Sequence, residues 1–180
     1  MNVRALRSDE GHLLKDMSIK MCNEIPSAYR LTLAEAKART DEEWQQLATE
    51  SASSPNMESF VGEISGEPGG IVTATVVTEH ILAMLDGRAE EGDGDRLTDT
   101  TLLGSMWVAP HMRGQGLAQL LIQAVLTWAK ENNQRRVMLA VTQGNERALR
   151  CYVRFQFMPT GFALAHPVHD VVVDFMDYVL

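Results

Sequence analysis

Apolar positions along the chain follow two rhythms, and each change of rhythm marks an element. Val3 to Leu6 is a short extended run. Leu13, Leu14, Met17 and Met21 then recur at three- and four-residue spacing. This predicts an amphipathic helix capped by Ser8 and ending near Cys22 or Asn23, ahead of the helix-breaking Pro26. Thr32 with Glu35 and Thr40 with Glu43 have capping-box spacing. A short helix and a longer one reaching about Ser51 are therefore expected, the second anchored inward by Trp44 and Leu47. Ser53-Ser54-Pro55-Asn56 reads as a linker inside one folding unit.

Beyond it the pattern is that of strands. Glu58 to Ile64 and Gly70 to Thr78, the second rich in β-branched residues, predict a hairpin turning through 66–69. Residues 79–99 divide into an apolar half (80–85) and an acidic half (90–95). They read as an extension of that hairpin with a disordered tip, open to a role toward substrate or a dimer partner. A further extended run, Thr101 to Val108, leads through a glycine-containing turn into a helix from Leu117 to about Glu131. Leu117, Leu120, Leu121, Ala124, Val125 and Trp128 form one apolar stripe on that helix. Val137 to Val141 reads as a buried strand parallel to 101–108, reached by a right-handed crossover. A helix from Asn145 to Phe155 and a terminal hairpin of 159–165 and 171–179 complete the pattern. The expected fold class is α/β (α+β): helices flanking a mixed, mostly antiparallel sheet, as a single domain over residues 1–180. A chain of 180 residues with 45% apolar content can bury one substantial core.

Composition narrows the setting. No stretch approaches the roughly 20 apolar residues that span a bilayer, and the start of the chain is charged from Arg4 onward, unlike a secretory signal. Two cysteines, Cys22 and Cys151, give no disulfide framework, so a reducing, cytoplasmic location is expected. A net charge of −8 argues against non-specific nucleic-acid binding. Residues 111–154 nevertheless carry seven Lys and Arg against two Glu. A basic island in an acidic protein is where a polyanionic small molecule would be held. Arg147, Arg150 and Arg154 share one helix face within it.

Arg113-Gly114-Gln115-Gly116-Leu117-Ala118, between strand and helix, is the center of the candidate chemistry. Two glycines let the backbone turn tightly and bring its N–H groups close to a ligand. The following helix N-terminus points unpaired donors and the positive dipole end into the same turn, which suits a phosphate or diphosphate. A Walker loop requires Gly-Lys-Ser/Thr, whereas Gly116 precedes Leu117 and Ala118. A dinucleotide fingerprint requires a third glycine where Gln119 stands.

Arg-x-x-Gly-x-Ala after a strand ending Val108-Ala109-Pro110 resembles the acyl-CoA diphosphate motif of the GNAT superfamily of N-acetyltransferases. Downstream, Asn145, Ala148, Tyr152 and Phe157 follow that superfamily's Asn-x-x-Ala-x-x-x-Tyr pattern, with Gln156 where the family usually has glycine. The resemblance is strong over residues 100–162 and looser before them. It implies a GNAT fold, in which two central parallel strands splay apart and admit the pantetheine arm, and acetyl-CoA as co-substrate. Arg113, Gly114, Gln115, Gly116, Leu117 and Ala118 would hold the diphosphate, main-chain groups of Met106, Trp107 and Val108 the pantetheine amides, and Asn145 the same arm. Tyr152 would protonate the departing thiolate. The family's acceptor pocket corresponds to the segment containing Glu24 and Tyr29, and Glu63 on the hairpin is a further candidate contact for the acceptor.

The proton acceptor stays open. The strand 101–108 contains no carboxylate where many relatives have a glutamate, leaving Glu63, Glu24 or a water chain from Ser105 as candidates. His111 reads as a surface residue of the turn. His166 and His169 lack a third ligand nearby, so no metal is expected. The activity implied is acetyl transfer to a primary amine of a small molecule. A protein N-terminus or lysine is the alternative acceptor, and an acyl-CoA-binding module without turnover is the alternative class. No nucleic-acid or membrane partner is expected; residues 80–85 and the terminal strand offer surfaces for a homodimer.

Overall fold

The structure is a computed structural model, and it describes residues 1–78 and 97–180. The expectations for the 79–99 segment fall almost entirely outside the described residues. Seven strands form one sheet in the order β1-β2-β3-β4-β5-β7-β6. They are β1 (Asn2–Ala5), β2 (Met57–Ile64), β3 (Glu67–Val76), β4 (Thr100–Val108), β5 (Arg136–Thr142), β6 (Met158–Ala165) and β7 (Val172–Val179). Neighbours are antiparallel except β4 and β5, whose parallel pairing covers Thr100–Leu102 against Arg136–Met138. Past Leu102 those two central strands separate, although both continue for several residues.

Beyond that parting, β4 carries a bulge on its β3 side. Ile71 pairs with Trp107 and Thr73 with Gly104, so Ser105 and Met106 both face Val72. Ser105 takes φ 51, the left-handed region, to accommodate the extra residue. A bulge bends its strand and leaves a ladder group unpaired. The mixed, mostly antiparallel sheet expected from the sequence is thus present, with its parallel pair opening at the center.

Five helices accompany the sheet among the described residues: α1 (Gly11–Glu24), α2 (Leu33–Ala38), α3 (Asp41–Ser53), α4 (Leu117–Glu131) and α5 (Glu146–Arg154). Both capping boxes form, Thr32 with Glu35 and Thr40 with Glu43, each side chain bonding the other residue's backbone N–H. Helix α1 differs at its start: Glu10 is the N-cap, with no side-chain cap bond, and the Ser8 carbonyl instead accepts from Gln45 and Thr49 of α3. The start of α1 is thus tied to α3 through the Ser8 carbonyl, and no side-chain cap forms.

The β2–β3 turn is also shorter than expected. Ser65 and Gly66, at φ 54 and 83, make a two-residue connection, and β3 starts at Glu67. Positive φ at both positions matches the right-handed twist of the flanking strands. On α4 the buried set is Leu117, Leu121, Ile122, Val125, Leu126 and Ala129. The core stripe is rotated from the one expected, and Leu120 stays 39% exposed. Leu120, Ala124 and Trp128 instead line a groove against Met1, Val3 and Phe60.

One hydrophobic cluster joins α1, α3 and α4 to the sheet through Met17, Met21, Ala48, Val61, Val72, Leu121, Val125 and Leu139. Gly62 and Gly70 permit this closeness, since a Cβ on either would come within 2.8 Å of Leu117 or Leu121. A smaller cluster of Leu97, Met138, Val173 and Phe175 packs beside β6 and β7.

Candidate active site

Strand β4 runs into a short 3₁₀ turn (Pro110–Met112) and then into the glycine turn that opens α4. Gly114 and Gly116 adopt φ 75 and 92, and Gly116 is the helix N-cap. A residue with a Cβ is strained at such φ values, so the turn requires glycine. Five consecutive backbone N–H groups, those of Gly114, Gln115, Gly116, Leu117 and Ala118, have no hydrogen-bond partner among the described residues. No side chain or backbone crowds the space beside Gly114, and only the Met1 methyl, at 3.9 Å, approaches Gly116. Open space over a row of donors at a helix N-terminus fits a diphosphate.

Across the opening between β4 and β5 lies the segment that follows α1. The Thr142 hydroxyl, at the end of β5, donates to the Ser27 carbonyl at 2.9 Å. The Tyr29 hydroxyl donates to the Met106 carbonyl at 3.1 Å. Burial, then the nearby Glu24 and Cys22, push the Tyr29 pKa well above its ordinary value, so the hydroxyl remains a donor. Of the expected pantetheine contacts, the Met106 and Val108 carbonyls thus already accept one bond each, from Tyr29 and Arg113. Each retains a second lone pair.

Tyr152 lies on the inner face of α5, buried, with its ring edge-on to Phe157 at 5.8 Å between centroids. Its hydroxyl makes no hydrogen bond among the described residues. Burial raises its pKa well above the ordinary phenol value, with Cys151 and Tyr29 adding to the effect. A phenol in that state stays protonated through the neutral range. Asn145 caps α5, its side-chain oxygen accepting from the Ala148 N–H at 3.2 Å. The glycine missing from the motif is replaced in conformation: Gln156 adopts φ 66. Its N–H reaches the Val153 carbonyl and that of Phe157 the Tyr152 carbonyl, which closes the helix as a Schellman motif.

Two expected residues are placed differently. Arg113 does not project its charge from the mouth of the turn. Its Nε donates to the Val108 carbonyl at 2.8 Å and its Nη2 lies 2.6 Å from both oxygens of Glu24. Glu63, expected as a base or acceptor contact, sits on β2 with β3 between it and β4. It pairs with Arg4 at 2.8 Å, in a cluster that includes Glu10.

Glu24 also accepts from the Trp107 indole N–H at 2.9 Å and from Arg147 at 3.4 Å. Burial opposes its charge. The bonds from Arg113 and Trp107, Arg113's charge and the bond from Arg147 outweigh that and hold its pKa below the ordinary carboxylate value. Sequence reasoning missed the Trp107 indole and Thr142. Their partners lie 83 and 115 residues away, and no local pattern signals such pairs. The basic island proves largely paired: Arg135 meets Asp99, Arg136 meets Asp177 and Arg150 meets Glu146.

Among the described residues no group of three or more His, Cys, Asp or Glu could hold a metal ion. His166 Nδ1 accepts the backbone N–H groups of Val168 and His169, a turn-stabilising role.

A sheet opened between two parallel strands beside a glycine-turned helix N-terminus defines an acyltransferase fold. The family model for the GNAT acetyltransferase family matches residues 20–157, and the chain belongs to that family. Among curated proteins, sequence comparison finds no match. Solved structures similar to the chain include a ribosomal-protein-alanine N-acetyltransferase from Brucella melitensis (14% identity, 100% of each chain covered, TM-score 0.70). Another is a spermidine N-acetyltransferase chimera from Vibrio cholerae (16% identity, 99% of this chain and 96% of that one, TM-score 0.70). A third is a Salmonella typhimurium acetyltransferase with its cofactor acetyl-CoA (14% identity, 100% of this chain and 94% of that one, TM-score 0.70). Equal likeness to proteins named for a protein and a polyamine acceptor shows the fold and leaves the acceptor undefined.

Proposed function

We propose that the chain transfers the acetyl group of acetyl-CoA to a primary amine of a small molecule, by direct attack of the amine on the thioester while both substrates are bound. The row of five unpartnered N–H groups at 114–118, beside the open gap between β4 and β5, carries this reading. The turn would hold the diphosphate, and the free edges of β4 and β5 the pantetheine arm, with Asn145 beside it.

Acetyl-CoA supplies an already activated acyl group, so the protein's part is to position, polarise and move protons. The amine nitrogen attacks the carbonyl carbon, and the bulge at Ser105–Met106 offers a backbone N–H to the developing oxyanion. As the carbon–sulfur bond breaks, the electron pair leaves on sulfur and the thiolate takes the Tyr152 proton, which solvent restores. Strand β4 carries no carboxylate and both oxygens of Glu24 are engaged, so the amine's proton passes to water along the gap. The excess of acidic residues favours a cationic amine by steering it toward the protein. The two cysteines are free thiols, and the reading sets the enzyme in the cytoplasm, where they stay reduced.

The lack of a carboxylate on β4 also favours a second reading, an acyl-CoA-binding module without turnover. Thiol release from acetyl-CoA, measured with a panel of polyamines, aminoglycosides and short peptides, separates the cases. Release with small amines supports the proposal and release only with peptides supports a protein acceptor. CoA binding without release supports the module. Saturating CoA at about a hundred times its Kd should add roughly 2.7 kcal/mol of stability, and no thermal shift with CoA would remove both readings.

A further inference from the structure

Glu24 is the last residue of α1, where the helix's unpaired carbonyls disfavour a carboxylate. What keeps it there is its set of partners, and these come from three separate parts of the chain. Trp107 belongs to the end of β4, Arg113 to the glycine turn, and Arg147 to the first turn of α5. A carboxylate accepts about four hydrogen bonds. Two contacts from Arg113 and one each from Trp107 and Arg147 account for them, leaving no acceptor site for an incoming ammonium. Arg113 is fixed further by its bond to the Val108 carbonyl. All three lie beyond the three positions at which β4 and β5 are paired, at the end of β4 or in the segments that follow the two parted strands.

We propose that Glu24 is a positioning residue for the acyl-donor site, and not a contact for the acceptor amine. Through Arg113 it fixes the glycine turn, and through Trp107 and Arg147 it holds the end of β4 against α5. The aim of the N–H groups at 114–118 therefore depends on a side chain supplied by the acceptor-side segment. The inference rests on the acetyl-CoA reading above, and it makes the two sides of the site share one electrostatic brace.

Calorimetric titration with CoA of the wild type, Glu24→Gln, Arg113→Gln and the double variant tests it. Each single change is expected to weaken CoA binding about tenfold, and the double change by little more than either, because the two groups act as one unit. The Trp107 indole N–H resonance provides a direct signature and is expected to move upfield in Glu24→Gln, on loss of a charged acceptor. Affinity within twofold of wild type in Glu24→Gln, fully additive losses, or an unmoved indole signal would each overturn the proposal. Should Glu24→Gln not fold, Trp107→Phe keeps the ring packing and removes the donor. It is expected to weaken CoA about threefold, and unchanged affinity overturns the proposal. A wild type that binds no CoA removes the acetyl-CoA reading instead, and is told apart because no variant comparison is then needed.

Discussion

Gln156 shows how one residue can depart from a family pattern and leave the geometry intact. It occupies the left-handed position after α5, at φ 66, where glycine is the usual choice. A side chain there costs about 1–2 kcal/mol, partly offset by the greater entropy glycine loses on folding. Gln156→Gly is expected to stabilise the protein by about 0.5–1 kcal/mol, read from denaturant midpoints at unchanged slope. A destabilised variant would mean that the Gln156 side chain makes contacts of its own. Tyr152 presents the opposite case, legible as a candidate from its spacing but not in its environment. Tyr152→Phe keeps the edge-on contact with Phe157 and removes the proton donor, so turnover should fall about 10²-fold or more with CoA affinity unchanged. Equal loss of both quantities would contradict the acid role. The Arg113–Glu24 pair could not be read in advance, because 89 residues separate the partners.

At the scale of elements, local chemistry that depends on three or four neighbouring residues was readable. Both capping boxes form as their spacing requires, since each bond closes within a single turn. Thr40→Ala leaves the Glu43 N–H without its acceptor and should cost about 1 kcal/mol, measured by thermal or chemical unfolding, with CoA affinity untouched. Features set by what an element packs against were not readable. The N-cap of α1 lies at Glu10, two residues beyond Ser8, whose carbonyl is bonded by Gln45 and Thr49 of α3, and the buried stripe of α4 turned toward β2 and β3. Gly70 matters here through close approach: its substitution by valine drives a side chain against Leu121 and Leu117. Helix α4 and the turn before it should shift together, lowering stability and CoA affinity in the same variant. A loss of stability with full CoA affinity would show that the turn is independent of the helix's seat.

For the molecule as a whole, partly buried ion clusters at two places tie distant segments together. Glu10 is opposed by burial, yet its bonds from Arg4 and Arg7 lower its pKa below the ordinary 4.5. Glu24 is lowered in the same way by Arg113 and Trp107. A carboxylate with a depressed folded-state pKa adds stability above its unfolded value and loses it as the pH falls through the folded value. The thermal midpoint should therefore stay nearly level from pH 7 to about 5 and drop below about 4.5. Glu10→Gln should start lower at pH 7 and show a shallower acid drop; an unchanged acid profile would mean that the Arg4 cluster contributes no linkage. Such clusters also explain why the basic island, conspicuous as a run of charge in the chain, is mostly neutralised in space by Asp99, Asp177, Glu146 and Glu24.

Hydrophobic spacing, capping pairs and the Gly-x-Gly turn by themselves determined the order of the elements, the mixed sheet and the location of the glycine turn that opens α4. Each of these follows from contacts between residues near one another in the chain, or from the periodicity with which one face is buried. Where β4 and β5 part, which way Arg113 points and what surrounds Glu24 were decided only by tertiary structure. A bulge, a guanidinium and a carboxylate take their positions from partners brought together by the sheet, and those partners lie tens of residues away along the chain.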